Sequence, residues 1–431
     1  MDRAVLAVIF GTFTLRLATG VTGTMLLAYY AVLPSYGGVE VQAWQVGVLA
    51  ALFYASELVL SPVFGVLSDR VGHRRIMLVG PAFGAVAVVI TALTVSLPVI
   101  GFTRLLEGAS TAASVPSILG FIAFATAADE LRRGKAVARF EAATLAGLMV
   151  GYVVGLLLFE ALGPVAFIAN AVLYGASFSI YRWGVPRDAE PEPAARAHDP
   201  GEGLRRYLRI LRGSHVWLLA PTWIAINATL GLFTTQSLFQ LLWEPDPAFS
   251  GQQLMGGFDP VQVAAGLVAG GVLFFLGLFY WGGRFKDMAR TSIIGRGILG
   301  GAVMLLAVVG INHAAGLPLP ILLALVAVAG AGLFVLAGAT PAAIGLLADM
   351  TEAYPDDRGA IMGLYSVFLG LGQILGSIAG GAAAQVAGLD GVFVASLVLM
   401  GVAIVPLRRL ARYEHQVGSP ATHHGGVAPG G

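Results

Sequence analysis

"GVLSDRVGHRR", residues 65–75, puts Asp69, Arg70, Arg74 and Arg75 within seven residues, in a chain with hardly a charge for long stretches on either side. A knot of charge this short, between two long apolar runs, reads as a tight turn at a membrane surface joining two spans. A span needs about 20 predominantly apolar residues. Working outward from the knot gives candidate spans at 45–67 and 76–96, preceded by 4–33 and followed by 98–127, 137–161 and 164–183. A polar interval follows, and then 215–243, 261–281, 292–311, 318–347, 359–387 and 390–407. The pattern predicts an all-α integral membrane protein, with twelve transmembrane helices in two pseudo-symmetric six-helix bundles.

Composition agrees. Of 431 residues, 57% are hydrophobic and 11% charged, where an ordinary soluble domain carries roughly 25% charged residues. Cysteine is absent, which excludes disulfides and thiolate metal sites, and a net charge of +1 leaves no nucleic-acid footprint. The 58 glycines suit helices that pack closely in lipid. The first apolar run is too long for a secretory signal and reads as the first span.

Lys and Arg fall in alternate loops: Arg70, Arg74 and Arg75; Arg132, Arg133, Lys135 and Arg139; Arg284, Lys286 and Arg290; Arg408, Arg409 and Arg412. The intervening loops, such as "PSYGGVEVQAW", contain neither. The positive-inside rule then puts both termini and the central loop in the cytoplasm, with the protein in the inner (plasma) membrane. The expected division is a first bundle at 1–183, a cytoplasmic linker at 184–214, a second bundle at 215–409 and a disordered cytoplasmic tail at 410–431. In the linker, Leu204, Leu208 and Leu211 share a helical face ringed by Arg205, Arg206, Arg209 and Arg212. This reads as a basic amphipathic helix on the anionic leaflet or as a solvated connector.

The second half echoes the first. Gly65 and Asp69 recur as Gly283 and Asp287. At one shared offset, Gly134 matches Gly359; Gly147, Gly151 and Gly155 match Gly372, Gly376 and Gly380; and Pro116 and Gly120 match Pro341 and Gly345. Repeated halves around a midplane site are a transporter architecture.

On these residues the chain resembles the major facilitator superfamily over essentially its whole length. "GVLSDRVGHRR" is similar to that superfamily's signature at Gly65, Asp69, Arg70, Gly72, Arg74 and Arg75, with His73 where Arg is usual. "RLLEG", from Arg104, resembles the fourth-helix signature of proton-coupled members. "GLMVGYVVG" resembles a glycine-rich antiporter signature, but Tyr152 replaces its Pro. The resemblance implies that Asp69 caps the start of the eleventh span, near Gly359, when the cytoplasmic side shuts, with Asp287 making the related contact at the fifth span. A carboxylate at a helix N-terminus contributes about 1–2 kcal/mol, so these would act as gating latches.

Ionisable groups at membrane depth are costly and usually functional. They are confined to the first half: Arg16, Glu57, Arg104, Glu107 and Glu141, with Glu160 near an outer end. The working expectation is a proton relay centred on Glu57, with Glu107 second and the arginines tuning both. The alternative is a permanent ion-pair network that fixes packing. The spans of the second half carry no ionisable group at mid-depth; His215, Arg296 and Asp390 stand near span ends. Asn227, Phe233, Gln236 and Gln240 on the seventh span are the candidate substrate contacts, suited to an amphipathic or uncharged solute. The reading is therefore a non-enzymatic secondary transporter, monomeric and without cofactor or metal. Its partners are protons, membrane lipid and a small-molecule substrate, with no nucleic acid. Alternating access would drive proton-coupled efflux of an amphipathic compound. The rivals are proton-coupled uptake of a sugar-like or other polar metabolite, and a membrane sensor or scaffold that does not transport.

Overall fold

The structure, a computed structural model, describes residues 3–126, 130–186, 216–243, 247–352 and 358–417. The amphipathic stretch at 204–212 and the tail beyond Val417 lie outside the described residues. Among those described there is no strand. The helices are α1 (Arg3–Val32), α2 (Ala43–Val71), α3 (His73–Ala92), α4 (Leu97–Ala125), α5 (Glu130–Leu162) and α6 (Val165–Gly184). After the polar interval come α7 (Val216–Leu242), α8 (Pro260–Gly283), α9 (Arg290–Asn312), α10 (Leu319–Leu336), α11 (Ala339–Glu352) and α12 (Arg358–Val417). By length and composition, nine helical stretches among the described residues can cross a membrane.

One departure from the sequence reading has a local cause. The span expected at 318–347 is broken at Ala337–Gly338, where the Trp281 ring fills the place of a Gly338 side chain and its Nε1 donates to the Phe334 carbonyl at 3.1 Å. The last two expected spans, 359–387 and 390–407, are two helices joined at a non-helical break at Ala387 and Gly388, where Gly388 takes φ +59°. Elsewhere the turn is even shorter than the charge pattern implies. Gly72 alone separates α2 from α3, at φ +97°, a conformation that favours glycine.

The strongest packing is α5 on α1 and the first arm of α12 on α7. A Cβ on Gly151 would lie 2.4 Å from the Leu17 carbonyl oxygen, and one on Gly376 2.0 Å from that of Ala228. The two seams match in detail. Gly147 abuts the Phe13 carbonyl, Arg16 Cβ and Leu17 N, while Gly372 abuts the Ile224 carbonyl, Asn227 Cβ and Ala228 N. Arg16 and Asn227 are thus structural counterparts. The starts of α2 and α8 also correspond, each with a capping box: Gln42 with Gln45, and Asp259 with Gln262.

A side chain on either seam must push two backbones apart, and overpacking of this kind typically costs about 1–3 kcal/mol. Gly151→Val and Gly376→Val should each lower the thermal unfolding midpoint in detergent, whereas Gly282→Val, at a site with open space around it, should leave the midpoint unchanged.

Candidate functional site

Helices α1, α2, α4 and α5 bring the deep charges of the first half into two adjoining groups. In one, Arg104 ion-pairs with Glu107 one turn further along α4. The Arg104 guanidinium lies 4.7 Å from the centre of the Phe53 ring. Glu107 is buried, and its second oxygen has no hydrogen-bond partner among the described atoms. Gly108 sits where a Cβ would be 2.2 Å from the Phe53 carbonyl, so α2 and α4 touch backbone to backbone beside the pair. Tyr30, Tyr54 and Tyr174 surround the same guanidinium.

In the other group, Arg16 acts on both Glu57 and Glu141 and lies near Tyr152. Glu57 is half-buried and Glu141 exposed. Arg16 is thus within electrostatic reach of two carboxylates, while Arg104 and Glu107 pair with each other. Tyr54 is within electrostatic reach of both Glu57 and Arg104, linking the two groups. The sequence reading passed over Tyr54, although it lies one turn before Glu57 on the same helix.

The four seventh-span candidates have different partners. Asn227 is buried and donates to the Trp223 carbonyl of its own helix at 2.8 Å. Phe233 packs against the core of the second half. Gln236 crosses between the halves, its Nε2 donating to the Ala43 carbonyl at 3.0 Å. Gln240 is buried, with neither amide atom partnered among the described residues.

Gln236 belongs to a seal at the end of the molecule that holds Gln42. Gln385 Nε2 donates to Gln42 Oε1 at 2.7 Å, and a Cβ on Gly47 would lie 2.3 Å from the Ser377 carbonyl. Gly381 faces the Ala43 carbonyl from the other side of this contact, at 2.9 Å from its Cβ position. The sequence reading did not foresee this set.

At the opposite end lies the charged turn. Asp69, Arg70 and Arg75 are exposed, and Asp69 has His73 at 3.9 Å. Gly65 faces Pro116 of α4. Arg74 has a distinct role: its Nε donates to the Val185 carbonyl at 2.6 Å and its guanidinium also bonds the Arg182 carbonyl, capping the last turn of α6. In the second half, Gly283 and Asp287 are exposed, with Arg284 3.9 Å from Asp287. The side chains at the start of α12 lie outside the described residues, as do residues 127–129 before α5.

The sequence profile of the Major Facilitator Superfamily matches residues 8–335 and 247–428. Multidrug resistance protein 1 of Bacillus subtilis (strain 168) is 25% identical over 259 residues, covering 58% of this chain and 63% of that protein. Multidrug resistance protein 2 of the same organism is 25% identical over 224 residues, covering 51% and 52%. The chain thus spans less than two thirds of the length of these two relatives. Quinolone resistance protein NorA of Staphylococcus aureus (strain MSSA476) is 22% identical over 330 residues, covering 72% and 75%. Among solved structures, that of the nucleoside transporter NupG aligns with a TM-score of 0.70 at 13% identity, covering 96% of this chain and 99% of that one. This likeness is one of fold.

Substitution at the seal should show at the Gln42 end alone. Gly47→Val prevents the backbone contact with Ser377, so a cysteine introduced at Gln385 should react with a hydrophilic maleimide several-fold faster than in the parent, while one at Arg70 should not gain reactivity.

Proposed function

This chain belongs to the Major Facilitator Superfamily, and we propose that it exports an amphipathic compound from the cell in exchange for protons. It is a membrane transporter rather than an enzyme, and the finer reading rests on one observation. The mid-depth charge lies in the first half, where two carboxylates, Glu57 and Glu141, are within electrostatic reach of the Arg16 guanidinium. One carboxylate beyond balance at membrane depth calls for a positive charge. A proton or a cationic solute supplies it, and competition between them couples the two flows. Arg104 and Glu107, already paired, set the field around this centre, and Tyr54 is placed to pass a proton between the groups.

The working unit is a monomer in the plasma membrane with both termini in the cytoplasm. Its first bundle is residues 1–183 and its second is residues 215–409, joined by a linker at 184–214. The two bundles rock about the site. The amide-and-glycine seal at the Gln42 end faces outward and is closed in this conformation, so the site opens toward the cytoplasm. In the opposite conformation Asp69 and Asp287, exposed here, reach the starts of α12 and α5 and latch the cytoplasmic side. The names of the multidrug and quinolone resistance relatives support an exporter over the uptake of a polar metabolite.

The test is efflux of a fluorescent lipophilic cation from proteoliposomes under an imposed pH gradient. Wild-type flux should rise with the gradient, and Glu57→Gln, with normal expression and unfolding midpoint, should lose that dependence and slow on the order of tenfold, within the range of a general acid–base contribution. A Glu57→Gln protein with an unaltered response to the gradient would remove Glu57 from the coupling.

A further inference from the structure

Each half carries a loop across the Gln42 end, and the two loops lie on matching turns. In the first half the loop between α1 and α2 brings Tyr36 onto Gly163, in the turn between α5 and α6. A Cβ on Gly163, at φ +54°, would lie 2.8 Å from the Tyr36 hydroxyl. In the second half the loop before α8 brings Gln252 onto Gly388, in the break of α12. A Cβ on Gly388, at φ +59°, would lie 2.9 Å from Gln252 Oε1. The chemistry of the two loops differs. The Tyr36 ring lies 5.9 Å from that of Tyr29, whose hydroxyl donates to the Thr94 carbonyl beyond α3 at 2.9 Å. The second loop is held by amides and a carboxylate.

A break between two helices leaves backbone groups that neither helix can pair. Gln252 takes two of them: its Nε2 donates to the Ala387 carbonyl at 2.9 Å, and its Oε1 accepts from the Asp390 N–H at 3.1 Å. Asn312, buried at the end of α9, joins the same cluster. Its Nδ2 donates to Asp390 Oδ1 at 2.9 Å, and its Oδ1 accepts from the Leu254 N–H at 3.0 Å. At the exposed edge, His313 Nε2 lies 2.8 Å from Asp390 Oδ2. One loop thus ties the end of α9 to both arms of α12.

The same loop then crosses between the halves. Met255 belongs to the core of the second half, and Phe258 packs into that of the first, with Phe239 of α7 and Val263 of α8. Between them stand Gly256 and Gly257, at φ +75° and +88°, conformations that favour glycine. The Gly256 N–H donates to the Gln240 carbonyl at 2.8 Å. Gln385, whose amide reaches Gln42 in the seal, stands only two residues before Ala387.

We propose that the loop between α7 and α8 is a strap that positions the seal. Gln252 and Asn312 hold the break of α12 so that Gln385 meets Gln42 and Ser377 meets Gly47, and Gly256–Gly257 is the joint where the strap bends as the halves part. Gln252 and Asn312 are positioning residues, acting on the seal through the backbone of α12. This rests on the reading of the seal as the outer gate and adds what holds that gate in register.

The test uses the full chain, which has no cysteine of its own. Reporters are Ser377→Cys, buried at the seal, and Ser177→Cys, buried within the first half. Labelling by a hydrophilic maleimide is timed in detergent, and unfolding midpoints are read on each preparation. Gln252→Ala should speed labelling at 377 about tenfold, the scale of losing a buried hydrogen-bonding side chain, with no change at 177. His313→Ala, at the exposed edge, should speed it about threefold, as for an exposed ion pair, and decides the matter if Gln252→Ala does not fold. Equal gains at 177 and 377 would mean general loosening and overturn the strap. Gly47→Val, which opens the seal directly, is the comparison. If it speeds labelling at 377 and the folded strap variants do not, the strap is wrong while the seal reading stands. If none of the three does, the seal reading falls with it.

Discussion

The close backbone contact of α5 on α1, repeated by α12 on α7, is the constraint on which the rest of the structure depends. In lipid there is little hydrophobic drive between helices, so association relies on surfaces that approach closely. The glycine ladders supply them: Gly147, Gly151 and Gly155 on one seam, Gly372, Gly376 and Gly380 on the other. The spacing of each ladder sets the depth at which its partner helix sits. Arg16 is held beside Gly147 and Asn227 beside Gly372 at matching levels, so a sequence difference at one position becomes a charge difference across the centre of the molecule.

That charge difference constrains how coupling can work. Arg16, Glu57, Arg104, Glu107 and Glu141 all sit on α1, α2, α4 and α5, which pack on one another. If the halves rock as bodies, these groups travel together, and no salt bridge between the halves is made or broken at the centre. The change from one conformation to the other must then act through access, by exposing the shared carboxylates to water and solute from one side at a time. Ion pairing that holds packing and ion pairing that serves a relay are therefore not strict alternatives here. The Arg104–Glu107 pair has the balanced charge of the first, and the Arg16 group has the surplus carboxylate of the second.

The fold class was legible in the sequence because its signals are additive over many residues: apolar runs of span length, basic loops in alternation, and glycines recurring at a fixed offset. The charged centre was legible for the same reason, since five ionisable groups stand out against apolar helices. The second half was harder to read. Polar residues on one helical face signal a buried face without saying what lies opposite, so Asn227, Gln236 and Gln240 looked alike. In the structure Asn227 bonds its own helix and Gln236 reaches a backbone carbonyl of α2. Nor does a sequence show that Arg74 lies beside the end of α6, more than a hundred residues away, because that contact exists only once α3 and α6 have packed.

The two ends of the molecule carry different chemistry, and the difference matches what each would meet if the proposed gates lie there. The Gln42 end uses uncharged amides and backbone contacts, Gln385 to Gln42 and Gly47 to Ser377, whose strength is nearly indifferent to pH and salt. The Asp69 end carries carboxylates and guanidiniums in exposed turns, where screening weakens charge interactions. A gate facing a medium of variable acidity and ionic strength holds better with the first kind, and one facing a regulated interior can use the second. In the proposed orientation, the one the positive-inside rule favours, each proposed gate would meet the solvent its chemistry tolerates.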